Sequence, residues 1–359
     1  MSSSAYPSLV FTQQIFTRYG CPLMVVIGCL GNLLNIFLLR RKTLRTVSCN
    51  NYFLAASFIN LIILNVGIIP SIYVADRPWA ITEAYCKIRS YLFNASQQMS
   101  RFMVVTACFD RFALCSTSAR LRQFSRVEIA RRYMIPAIII IWLIAPIYML
   151  IFDTVVNNSC TYIGAVALFN SIYGITLVGF TPPCLMFIFS LLTFRNLKTK
   201  QQRQQVFLST LVNTQVTTVE SRKQRRKNQQ VLGMLMIEVV VYICTTTIAS
   251  SNLLYSTLTT YIGISKSDER ISIESFISFS TNLLNYTCPC LSFYLFCFVS
   301  HLYRKQMILS LLNIRRQFSA LYTRNNNNTN SDEHISIRQM TAKVKPIKQP
   351  TMAPVPIIQ

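Results

Sequence analysis

Acidic side chains are scarce in this chain of 359 residues, with 12 Asp and Glu against 35 Lys and Arg. Histidine is scarcer, and the two present, His301 and His334, stand too far apart in chain and setting to form a cluster. No glycine-rich loop of the kind that cradles phosphate occurs. Nor is there a paired Cys/His spacing suited to a metal: Cys288-Pro289-Cys290 has no second pair. The residue types thus offer no catalytic pattern, so no enzyme activity, metal or cofactor is expected. Strand-like alternation over about ten residues, the mark of a membrane barrel, is not the dominant pattern. Met1–Arg18 lacks a basic start followed by an apolar core, so no cleavable signal peptide is expected. No long internal repeat is evident, which weighs against a repeat-built transporter.

What the chain does have is apolar length. Hydrophobic residues make up 52% of it and charged ones only 13%, with mean hydropathy +0.38. Seven predominantly apolar runs stand near or above the ~20 residues a helix needs to cross a bilayer: Tyr19–Leu39, Asn51–Tyr73, Cys86–Phe112, Tyr133–Phe152, Ala165–Phe194, Gln230–Leu258 and Glu274–Val299. Backbone polar groups in lipid must be satisfied internally, so the runs are read as helices. The net charge of +23 suggests a nucleic-acid binder until its distribution is considered. Of the 35 basic residues, 28 lie in 40–49, 111–133, 195–228 and the tail from 301, all on one side of the seven spans. That asymmetry places these segments in the cytoplasm and the N-terminus outside, and leaves no nucleic-acid partner to invoke.

The expected fold is all-α: a seven-transmembrane helix bundle followed by a short amphipathic eighth helix. Residues 1–18 would be an extracellular N-terminus, 19–299 the bundle, 300–318 the interfacial helix and 319–359 a disordered cytoplasmic tail. Tyr303, Met307, Leu311, Ile314 and Phe318 recur at helical spacing beside Arg304, Lys305, Arg315 and Arg316, a pattern that suits a helix lying on the bilayer surface. Cys86 falls near the outer mouth of span three and Cys160 in the next outer loop. Both face the oxidising side, where a bridge would clamp that loop to span three. Asn157-Asn158-Ser159 is an outer glycosylation sequon, with Asn157 the acceptor.

Several of these residues resemble the rhodopsin-like G-protein-coupled receptor family over about residues 19–318. Gly31-Asn32 resembles the family's first-helix pair, and Trp79, seven residues before Cys86, its outer-loop tryptophan. Asp110-Arg111-Phe112 follows Cys86 at the family's interval and resembles its Asp-Arg-Tyr motif. Trp142 fits the fourth helix, Pro182 or Pro183 the fifth, and Tyr303-Arg304 the start of the eighth. The resemblance implies a plasma-membrane receptor that binds an extracellular ligand and activates a heterotrimeric G protein, with Asp110, Arg111 and Phe112 forming the coupling switch. Departures are visible too. Asn60 stands where the family usually has a sodium-binding aspartate, span six lacks the Trp-x-Pro, and span seven reads Pro289-Cys290-Leu291-Ser292-Phe293-Tyr294. No lysine lies between Glu274 and Val299, so a retinal Schiff base has no seat, and Phe93 replaces the aspartate of amine receptors.

Arg101 is the residue hardest to place. At 1.5 Å rise it lies roughly 15 Å inward of Arg111, near the midplane. There an arginine without a partner costs at least about 2.5–3.5 kcal/mol. Glu238, at a depth of about 16 Å by the same rise, is the natural partner for a buried ion pair. Alternatively Glu238 is protonated, and Arg101 is satisfied by Asn60, serines, carbonyls or water. The outer mouth is expected to hold the ligand through Phe93, Gln97, Tyr255 and Asn282. With acidic Asp268, Glu269 and Glu274 on the rim, a peptide suits it. A different reading takes Arg101, Glu238 and Asn60 as the pathway of a transporter or channel, and a third is a receptor-fold chemosensor that has lost coupling.

Overall fold

The computed structural model describes residues 7–76, 82–156, 159–210, 215–301, 303–310 and several positions up to 319, with the backbone alone over 201–210 and 215–228. Seven long helices carry the fold: α1 (Pro7–Leu39), α2 (Ser48–Asp76), α3 (Glu83–Cys115), α4 (Val127–Phe152), α5 (Ala165–Thr199), α6 (Gln215–Tyr261) and α7, made of the segments Asp268–Leu284 and Thr287–Val299. Between α4 and α5 lies a two-stranded antiparallel hairpin, β1 (Thr154–Val156) and β2 (Ser159–Thr161), with Val155 opposite Cys160. Two units divide at Arg304, and in the second the backbone is helical over 305–310.

Among the described residues, five helices are long and apolar enough to cross a membrane, and the bent α7 makes a sixth. The seventh, α3, is 33 residues long but carries polar groups along its middle. Those groups face inward. Ser96, Gln97, Gln98, Arg101, Asp110 and Arg111 are all buried. Lipid meets the opposite kind of surface: Leu23, Val26, Leu30, Leu33 and Phe37 form an exposed stripe at helical spacing on α1, while Gly28, Gly31, Asn32 and Asn35 turn inward. At Gly28 an added Cβ would come within 2.6 Å of Leu64 and 3.3 Å of the Cys290 backbone, so only glycine lets α1 lie this close to α2 and α7.

One boundary differs from that read in the sequence. Helix α1 begins at Pro7 rather than Tyr19, because Leu9, Val10, Phe11, Ile15 and Phe16 prolong its apolar face and proline is tolerated in a first helical turn. The inner segment 195–228, expected to be helical where it extends spans five and six, is helical backbone up to Thr210 and again from Gln215. Its Gln, Arg and Lys residues are good helix formers, which explains the extension. The tail assigned to disorder, and the acceptor Asn157, lie outside the described residues.

Prolines shape the two helices that frame the interior. Pro289 has no N–H and its ring crowds the carbonyl four residues back. The 42° break in α7 accordingly falls at Asn285–Tyr286, where Asn285 N–H bonds Asn282 O at 3.2 Å in a tightened turn. In α5 a π-helical turn, Gly174–Phe180, precedes Pro182 and Pro183. Neither proline can donate to the carbonyl of Val178, which is left free for another donor.

Candidate functional site

A cavity of about 310 Å³ opens among α3, α5, α6 and α7 on the side of the bundle that carries Cys86 and Cys160. From α3, Phe93, Gln97 and Arg101 line it at successive helical turns, with Gln98 beside them; Asn282 and Asn285 come from α7. The Phe93 ring packs 5.6 Å from that of Tyr286, centroid to centroid, closing the cavity toward α7. Of the expected ligand contacts, Phe93, Gln97 and Asn282 are therefore brought together. Tyr255 is not. Its hydroxyl accepts from Arg270 at 2.7 Å and donates to Glu274 at 2.9 Å, and Lys266 reaches Glu274 at 2.5 Å. This cluster pins the end of α6 to the start of α7 beside a separate pocket.

Arg101 lines the cavity, and its partners overturn the expected ion pair with Glu238 and fit the alternative, in which carbonyls satisfy it. One Nη donates to the Val178 carbonyl at 3.3 Å, the group freed by Pro182 and Pro183. The other donates to Asn285 Oδ1 at 3.4 Å, at the break made by Pro289. The guanidinium also lies over the Tyr242 ring, 5.6 Å from its centroid. No ion pair joins it to Glu238: the described ion pairs are Arg111–Asp110, Lys266–Glu274 and Arg270–Glu274. The depth of Glu238, about 16 Å when counted from Lys227, the last charge before span six, set the level of α6 wrongly. The residue that meets Arg101 is Tyr242, one turn beyond Glu238, because Lys227 lies inside one continuous helix, Gln215–Tyr261, and does not mark where the span begins.

Glu238 is buried elsewhere, within electrostatic reach of Cys49, Cys108 and Cys288, and its Oε2 has no protein partner among the described residues. An isolated buried carboxylate destabilises, whereas removing half of a true pair costs about 3–5 kcal/mol. Glu238→Gln is therefore expected to hold or raise the melting temperature of the purified protein. In a double-mutant cycle with Arg101→Gln, the two changes should add within about 0.5 kcal/mol. A coupling of several times that size would restore the bridge.

At the opposite end of α3, Asp110 and Arg111 form a buried pair, with Arg111 Nη2 2.6 Å and Nε 3.2 Å from Asp110 Oδ2. Ser125 donates to the Asp110 carbonyl at 2.6 Å, tying the turn after α3 to this site. Phe112 turns sideways to stack with Phe189 of α5, 6.1 Å between centroids. Outside the bundle core, Cys86 and Cys160 are bonded, with Cα atoms 5.4 Å apart, so β2 is fastened to the first turn of α3.

The family model for the 7 transmembrane receptor (rhodopsin family) matches residues 31–292. The chain belongs to that family. It is a multi-pass membrane receptor and not an enzyme. No individual curated protein matches the receptor.

A buried polar chain holds four helices of the receptor together. Ser100 of α3 donates to Asn60 Oδ1 at 2.6 Å, Asn60 Nδ2 to Asn32 Oδ1 at 3.3 Å, and Asn32 Nδ2 to the Pro289 carbonyl at 2.7 Å. Asn60 is thus a hydrogen-bonding relay, its amide serving as both donor and acceptor where a carboxylate could only accept. A second link runs from Tyr303 through Asn35 to Ser292, the latter at 3.3 Å. Sequence reasoning missed Arg101 as a cavity residue, and missed Asn285 altogether. The signal was present: Phe93, Gln97 and Arg101 share the i, i+4, i+8 face of one helix.

Proposed function

We propose that this receptor binds an extracellular ligand in the cavity among α3, α5, α6 and α7 and activates a heterotrimeric G protein at the end that carries Arg111. In this reading the Arg111 end is cytoplasmic, the N-terminus lies outside and the receptor works in the plasma membrane. The observation that carries the proposal is the unbroken course of α6. It supplies Thr246, Asn252 and Ser256 to the cavity and continues without a proline to Gln215, well beyond the Arg111 end. A stiff helix that touches ligand at one end transmits a small tilt to the other. A ligand that fits one tilt better shifts the population toward it.

Asp110 holds Arg111 in the resting arrangement, and the freed guanidinium would meet the G protein. Helix α7 adds a second hinge at Asn285–Tyr286, in place of a proline kink in α6. The ligand proposed is a peptide that enters by one terminus, since the cavity is small by the standard of ligand sites. The Lys266–Glu274–Arg270 cluster then offers charged contacts to the remainder of the peptide.

A screen of peptides on cells expressing the receptor, followed by GTPγS exchange on added G protein in their membranes, tests the proposal. Exchange should rise with an activating peptide and fall to background with Arg111→Ala at equal surface expression. Ligand-driven solute flux in liposomes, with no exchange on any G protein, would overturn it in favour of transport.

A further inference from the structure

Among the described residues, the cavity lining holds one cation and no acid: of the nineteen residues that line it, Arg101 alone carries a charge. Its two hydrogen-bond partners, Val178 O and Asn285 Oδ1, are neutral and stand at the long end of hydrogen-bond range. Among the described residues Arg101 Nε has no protein partner, and neither do Gln97 Nε2 nor Gln98 Nε2 and Oε1. These three side chains stand on adjacent turns of α3, are at most 5% exposed, and line the same space. Buried charged groups in a membrane interior pair with one another or with backbone carbonyls, and the one carbonyl that Arg101 reaches leaves its charge unbalanced. Here the donors converge and the anion is not supplied by the described protein.

Resting on the reading of this cavity as the ligand site, we infer that Arg101, with Gln97 and Gln98, is the anchor for a carboxylate carried by the ligand. A guanidinium presents parallel N–H groups that match two carboxylate oxygens, and the glutamine amides add further donors. A single cation balances one negative charge, so a monocarboxylate fits better than a doubly charged phosphate. Phe93 and Leu253 provide apolar walls for the group that bears it. The carboxylate has two sources, a peptide C-terminus or a small organic acid. Its engagement would draw Arg101 away from α5 and α7 and thereby loosen its contacts with the Val178 carbonyl and the Asn285 side chain.

The test uses purified full-length receptor and compares acids with their neutral isosteres in thermal melting. The probes are hexanoate and hexanamide, and an N-acetylated tetrapeptide ending in phenylalanine with either a free carboxylate or an amide. At about ten times its dissociation constant, a carboxylate should raise the melting temperature by about 2–4 °C, with the amides far weaker. Arg101→Gln should weaken carboxylate binding at least about tenfold and Arg101→Lys less. Gln98→Leu, which keeps the cation, should weaken it by a smaller factor and guards against an Arg101 variant that does not fold. At equal concentrations, a larger shift from the free-acid tetrapeptide than from hexanoate assigns the carboxylate to a peptide terminus, and the reverse assigns it to a small acid. Equal shifts from acids and amides, or no shift from any acid, overturn the inference. Melting does not depend on G protein, so acid-specific stabilisation without nucleotide exchange would sink the signalling proposal and leave the anchor standing.

Discussion

Asp110→Ala is expected to raise ligand-independent nucleotide exchange at least about fivefold and to lower the melting temperature of the receptor. The pair it breaks is nearly inaccessible, with side chains 4% and 1% exposed for Arg111 and Asp110. Two of the Arg111 donors bond one oxygen of Asp110, and its Nη1 lacks a protein partner among the described residues. Removing the carboxylate leaves a buried cation with nothing to balance it, which typically costs about 3–5 kcal/mol. That penalty falls on the state that keeps Arg111 buried and spares one in which it reaches water or a partner. A difference of about 3 kcal/mol moves a two-state ratio by more than a hundredfold, enough to populate an active state that is otherwise rare. Asp110→Asn should act in the same direction but less, because an amide oxygen still accepts from Nη2. Exchange measured without ligand at matched surface expression checks both variants. Basal exchange and melting that match the unmodified receptor would show that the pair does not set the resting balance.

The same pair shows what the sequence made legible. Adjacent charges at the end of an apolar helix, at a set distance from a cysteine, could be read directly, and so could the disulfide and most of the cavity's α3 face. These features depend on spacing along one helix, which is fixed by 3.6 residues per turn. The Arg101 environment depends on the levels of three different helices. Its partners follow from Pro182, Pro183 and Pro289, each of which frees or displaces a group four or five residues back. Those positions could be listed from the sequence, but which of them faces Arg101 is set by how the helices slide against one another. Charge matching picked Glu238 because it was the only acid at a similar depth, and an error of one helical turn in α6 was enough to replace it with Tyr242. Tyr255 stands outside the cavity for a related reason. It sits on the right helix near the right end, yet the Arg270–Glu274 cluster claims its hydroxyl.

Loss of the Cys86–Cys160 bond should produce the other large effect, through the chain and the cavity together. The bond closes a loop of 74 residues that includes most of α3 and all of α4. On chain-entropy accounting a crosslink of that span contributes about 4 kcal/mol. Helices held in a bilayer already confine the opened chain, so this figure is an upper bound. Locally, the bond holds the hairpin next to an aromatic cluster in which Tyr148 lies 6.4 Å from Tyr162 and 5.7 Å from Tyr173, centroid to centroid. Tyr173 in turn donates to Asn94 Oδ1 at 3.2 Å, and both residues line the cavity. Cys86→Ser is therefore expected to reduce surface expression severalfold and to weaken ligand binding in whatever receptor reaches the surface. Cys160→Ser and the double variant should match it, because all three break one bond and their costs do not add. Treatment with a thiol reductant should lower the melting temperature of the unmodified receptor toward theirs and leave the double variant unmoved. A double variant clearly worse than either single change would mean that the two cysteines act apart, and the hairpin would have to be held in place by its aromatic contacts.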